Sequence, residues 1–116
     1  MDMLHSSVLE AAVLNCFYQL YQAHGFPLAE VIRVLRRENT GGGRYVVLEC
    51  DQQVRLEDGY IDLGGRFIEM EGLPNGMMAV VLVKNKYVQL LEFTVYGGDF
   101  WDGEERDWKI VCADNA

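Results

Sequence analysis

Met77-Met-Ala-Val-Val-Leu-Val-Lys-Asn-Lys-Tyr-Val-Gln-Leu-Leu-Glu-Phe-Thr-Val-Tyr96 is the stretch on which the fold turns. In the strand Met77–Lys84 residues 77–83 are apolar at consecutive positions, so both of its faces would be apolar, as in the middle of a covered sheet. Asn85-Lys86 interrupts the run with a residue that tolerates positive φ, which suits a tight turn. Residues 86–96 then return antiparallel to the first strand. This long hairpin is the expected centre of a sheet.

Working outward, shorter strands flank it. Ile61–Leu63 and Arg66–Glu71 sit on either side of Gly64-Gly65. In the second, Phe67, Glu69 and Glu71 share one face, and Ile68 and Met70 share the other. Residues 51–58 are polar and read as loop. Further back, Val31–Arg37 and Arg44–Cys50 flank Glu38-Asn-Thr-Gly-Gly-Gly43, whose glycines suit a hairpin connection. Residues 28–36 also admit a second short helix. Trp108–Cys112 supplies a last strand.

The one helix lies at the start. Ser7 and Glu10 have the spacing of a capping box. Leu9, Val13, Cys16, Phe17 and Leu20 follow at helical spacing, with Tyr18 and Tyr21 beside them, and Gly25 and Pro27 stop the helix. The expectation is a helix over 8–24. The chain therefore reads as one α+β domain, 1–116, with an N-terminal helix packed on a strongly bent antiparallel sheet of five or six strands. A single helix covers only part of such a sheet, so the remaining apolar face must curl on itself or meet a second protomer. A homodimer is one expectation that follows.

Charge is unevenly distributed. Residues 1–48 sum to zero, whereas residues 49–116 carry six Lys/Arg against fourteen Asp/Glu, so the whole net charge of −8 lies there. Such a field disfavours nucleic acid and anionic membrane and favours a basic protein partner. Three cysteines are too few and scattered for a disulfide framework, and each has apolar neighbours, which suits a reducing, cytoplasmic setting. The start, Met-Asp-Met-Leu-His, lacks the basic region of a signal peptide. Residues 11–29 are uncharged, but Asn15, Gln19, Gln22, His24, Gly25 and Pro27 mark a buried soluble helix and not a membrane span.

No nucleophilic triad spacing, phosphate-binding glycine loop or paired histidines occur, and no cofactor is expected. His24, in the last helical turn, suits the helix dipole. The most notable ionisable residue is Glu92, inside a strand apolar on both faces. A buried carboxylate needs a partner or a proton. One reading is an acid or base with a raised pKa; the favoured one is a structural ion pair with an arginine from residues 33–44, Arg36 and Arg37 among them, or a position that reaches solvent.

The segment Tyr96–Trp108 holds both tryptophans and five carboxylates. Its acidic spacing does not match a calcium-binding helix–loop–helix, and no metal is expected. Trp108 starts a strand with Ile110 on its own face and reads as a core anchor. Asp99, Trp101, Asp102, Glu104 and Glu105 are candidate contacts for a cationic partner, with Trp101 expected to be at least partly buried and the acids around it facing solvent.

Three pieces, Arg37-Glu-Asn-Thr-Gly-Gly-Gly43, Gly72-Leu-Pro-Asn-Gly76 with its strand to Val83, and Leu91-Glu-Phe-Thr-Val-Tyr-Gly-Gly-Asp99 leading to Trp101, resemble in order and spacing a family of small uncharacterised bacterial proteins. The similarity covers residues 36–111 and carries no motif specific to a chemistry. The chain departs from that pattern with Asn85-Lys86 at its hairpin turn and Asp102 after the tryptophan. The resemblance implies an immunity- or accessory-type protein of a bacterial toxin system. Two functional expectations result: a non-enzymatic binding protein whose acidic surface captures a basic protein, and a small-molecule binder or enzyme with a pocket between helix and sheet that uses Glu92 or an arginine.

Overall fold

A computed structural model describes residues 5–112. Residues Met1–Leu4, on which the reading of the N-terminal start chiefly rests, lie outside them. Helix α1 spans Val8–Tyr21 and continues as a 3₁₀ turn over Gln22–His24 that ends on Gly25 in the left-handed region (φ 83°). Ser7 caps it as expected. The Ser7 Oγ accepts from the Glu10 N–H at 3.1 Å, and the Ser7 N–H donates back to Glu10 Oε1 at 2.9 Å.

Seven strands follow, all paired antiparallel: β1 Arg33–Asn39, β2 Gly43–Glu49, β3 Gly59–Asp62, β4 Arg66–Met70, β5 Leu73–Lys84, β6 Tyr87–Val95 and β7 Lys109–Cys112. Their order across the sheet is β1-β2-β6-β5-β4-β7, with β3 also paired to β5. The α+β architecture is the expected one. The extra strand arises because β3 and β4 lie one after the other along the same edge of β5, separated by Leu63-Gly-Gly65. Leu63 turns into the core there, at 2 % exposure.

Residues 28–36 resolve as one 3₁₀ turn, Ala29–Val31, followed by strand. Leu35 is the extra residue of a β-bulge between the Val34–Leu48 and Arg36–Val47 pairs. Strand β5 starts at Leu73 and not Met77, because the chain reverses already at Glu71-Gly72 and pairs Leu73 with Met70. The β5–β6 turn has φ 55° at Asn85 and 70° at Lys86, the pair of positive values a two-residue hairpin turn of this hand requires.

The helix packs on one face of the sheet. Leu9, Val13, Leu14 and Phe17 meet inward-facing Val34, Val46, Leu48, Val81, Leu91 and Phe93, all buried. Burial of these side chains, at about 25 cal/mol per Å² of apolar surface, is the main term holding the helix down. Among the described residues no second layer covers the opposite face. On it lie Tyr45, Val47, Leu90, Glu92, Val80 and Leu82, half-buried or exposed. Apolarity on both sides of β5 therefore does not report two covered faces.

Only Cys50 is buried; Cys16 is half-buried and Cys112 exposed, since Cys112 ends the sheet-edge strand β7. Among the described residues no helix is long and apolar enough to cross a membrane.

Candidate functional site

The acidic segment 96–108 leaves the end of β6 and is strapped across one end of the molecule. Its Trp101 is 2 % exposed. The indole packs edge-on against Phe93, with centroids 6.3 Å apart and planes 62° apart. Its Nε1–H donates to the Glu104 carbonyl at 2.7 Å, and its backbone N–H donates to Gly41 O at 2.9 Å. The Arg44 guanidinium lies over the ring, 4.6 Å from its centroid.

Arg44 is the hub of a buried charge network. Strand β2 points Arg44, Val46 and Leu48 to the inner face by alternation, so this arginine enters the interior at 3 % exposure. Its Nη1–H group donates to Glu105 Oε2 at 2.7 Å and to Glu10 Oε2 at 3.1 Å. Nη2 donates to Gly103 O and Nε to Asn39 Oδ1, both at 2.7 Å. Glu10 is fully buried and also accepts a two-pronged bond from Arg37, Nε to Oε2 at 2.7 Å and Nη2 to Oε1 at 2.6 Å. Glu105 Oε1 accepts from the Leu9 N–H at 3.1 Å, which satisfies an otherwise unpaired donor of the first helical turn.

Two arginines and two glutamates thus cancel in charge, and no buried side-chain polar atom among the described residues is left without a partner. Burial pushes the Glu10 carboxyl up, but the bond from Arg37, the Ser7 N–H and the charges of Arg37 and Arg44 outweigh it and hold the group below the usual carboxylate range. The carboxylate is ionised, sealed from solvent and bonded on both oxygens. The network is a clamp that joins helix, hairpin and acidic segment.

Two of the acids outside the clamp are also engaged. Asp102 makes two bonds to Arg106, at 2.9 and 2.7 Å, and accepts from the Glu104 N–H at 3.0 Å. These partners bring its pKa down to about 2. Asp99 accepts from the Asn75 amide at 3.2 Å. Glu104 stands exposed, as does Asp107. Of the five residues proposed to meet a partner, Trp101 and Glu105 therefore face inward. Phe100 takes the outward position that sequence reading gave to no residue: it is 75 % exposed, with one ring edge resting on Gly41. Gly41 has φ +84°, and a Cβ there would come within 3.1 Å of the Phe100 ring. Glu71 and Asp102 border the same patch. Trp108 is half-buried against the core, in keeping with an anchor.

Glu92 is not the buried ion-pair residue. It faces away from the helix, between Tyr45 and Val80 on the outer sheet face, half-buried and with no side-chain partner among the described residues. Arg36 lies on that outer face, exposed, and Arg37 on the inner one; the arginines of residues 33–44 do take a carboxylate, but it is Glu10. Glu10 was read only as a capping residue. The available signal was its phase, since Glu10, Val13, Leu14 and Phe17 fall on one helical stripe.

The space between helix and sheet is filled by the core side chains. The open depressions lie elsewhere, as in one of about 420 Å³ lined by Asp62, Arg66, Phe67, Asn75, Met78 and Tyr96 where β3 gives way to β4. Among the described residues no three His, Cys, Asp or Glu side chains converge as a metal site. No protein-family model, curated protein or solved structure matches the chain.

Proposed function

We propose that the protein is a non-enzymatic binding module whose acidic end captures a basic protein, with Phe100 as the central contact. The observation that carries this reading is the 75 % exposure of Phe100 on a segment whose backbone is held on both sides. The Asp99 carboxylate is tied to Asn75, the Trp101 N–H to Gly41 and the Asp102 carboxylate to Arg106. An aromatic ring displayed by a fixed backbone loses little freedom on binding, and such anchors supply a large share of interface energy. Glu71 and Asp102 border its patch, and the exposed Glu104 and Asp107 add to the negative charge of the same stretch of chain, which attracts a cationic partner over a distance and speeds association.

The test is capture from a native-host lysate at low salt on immobilised wild-type protein and on Phe100→Ala. The expected result is a basic protein retained by the wild type, released as salt rises, and retained roughly tenfold less by the variant. Equal retention on both baits, or no retained protein, would remove the reading.

A further inference from the structure

The outer face of the sheet is laid out as two same-face rows. One row reads Glu38, Tyr45, Glu92, Val80 and Asp62 across β1, β2, β6, β5 and β3; the next reads Arg36, Val47, Leu90, Leu82 and Tyr60. Tyr45 is 41 % and Tyr60 59 % exposed, and Leu35, the bulge residue beside Arg36, is 50 % exposed. The centre of both rows is apolar except for Glu92. At about 4.8 Å between strands the rows, with their polar ends, are roughly 20 Å wide.

We infer that this face docks on a second copy of the chain through a two-fold axis that runs across the strands between the two rows. A two-fold interface must be complementary to itself, and this axis lays each row on the other row of the partner copy. At one rim it sets Arg36 opposite the second copy's Glu38, and by symmetry Glu38 opposite Arg36. Neither side chain makes an ion pair or hydrogen bond among the described residues. At the other rim it sets the Tyr60 hydroxyl opposite an Asp62 carboxylate, again twice. Between the rims Tyr45 meets Val47 and Val80 meets Leu82, so the apolar residues cover one another. A polar rim around an apolar centre is the usual anatomy of such contacts. Glu92 alone falls opposite an apolar residue, Leu90, and it weakens the pair. The inference is independent of the Phe100 surface, which lies at the end of the strands, several residues away from these rows.

Sedimentation of the purified chain from about 1 to 200 µM reads the association directly, because affinities of this order are those expected for a small interface carrying one uncompensated charge per copy. The expected result is a concentration-dependent monomer–dimer equilibrium. Leu90→Arg should abolish the dimer while leaving the circular dichroism spectrum unchanged. Arg36→Glu and Glu38→Arg should each weaken it several-fold, and the double swap should restore it, since only a two-fold contact pairs these two positions with each other. Glu92→Gln should tighten it by about tenfold. A chain monomeric throughout the range, a folded Leu90→Arg variant that still dimerises, a double swap no better than the single ones, or a dimer loosened by Glu92→Gln each overturns the inference.

Discussion

Each face of the sheet meets a glutamate among apolar side chains, and the two glutamates are held in opposite ways. On the inner face Glu10 is sealed beneath the helix and takes up bonds from Arg37, Arg44 and the Ser7 N–H. On the outer face Glu92 sits half-buried between Tyr45 and Val80 with no partner among the described residues. The difference follows from water. A carboxylate that keeps part of its hydration needs no cation, whereas one at zero exposure must be given a substitute for every lost bond. A charge in an apolar run therefore says little until it is known which face is covered.

The largest expected effect comes from removing one side of the inner network. Arg44→Met leaves Glu10 and Glu105 short of a donor and strips the cation from above Trp101, and it should cost about 3–5 kcal/mol in a urea titration. A loss near that of an exposed ion pair, below about 1 kcal/mol, would mean that the clamp is well hydrated and that the contrast between the faces is false. Trp101→Ala should follow closely, at about 3 kcal/mol, since it empties the space between Phe93 and Arg44.

Acid should distinguish the faces next. The folded pKa of Glu10 is lowered, so its contribution is fully present above the ordinary carboxylate range and is lost as pH falls through that lowered value. The urea midpoint of the wild type should drop on acidification. Glu10→Gln should begin lower and change less over the same range. An unchanged acid limb in the variant would show that other carboxylates carry the effect. The smallest effects belong outside: Glu92→Gln and Phe100→Ala, measured at concentrations too low for association, should each move stability by less than about 0.5 kcal/mol.

Much of the fold was legible because its signals are local. The capping box, the apolar stripe of α1, the Asn85-Lys86 turn and the alternation of β4 depend on neighbours a few residues away. The site was less legible because its geometry joins distant segments. Nothing near Glu92 in sequence reveals that β6 turns that side away from the helix, and nothing near Glu10 reveals that two arginines will arrive from a hairpin. Phases were readable even so: Glu10 shares the stripe of Phe17, and Arg44 shares the inward parity of Val46 and Leu48. The burial of Trp101 follows the expectation, whereas the outward placement of Phe100 had no local signal, because the glycine-rich segment carries no periodicity to assign a direction.

The clamp also bears on how the chain is made. Arg44 finds its acids at residues 10 and 105, and the Leu9 amide is capped by a side chain 96 positions away. A nascent chain still short of residue 105 can form the β1–β2 hairpin, yet it can only half satisfy the arginine that hairpin turns inward. The interior is therefore expected to stay open to water until residues 103–105 have been made, and a chain cut short of residue 103 should be digested by added protease faster than the full chain.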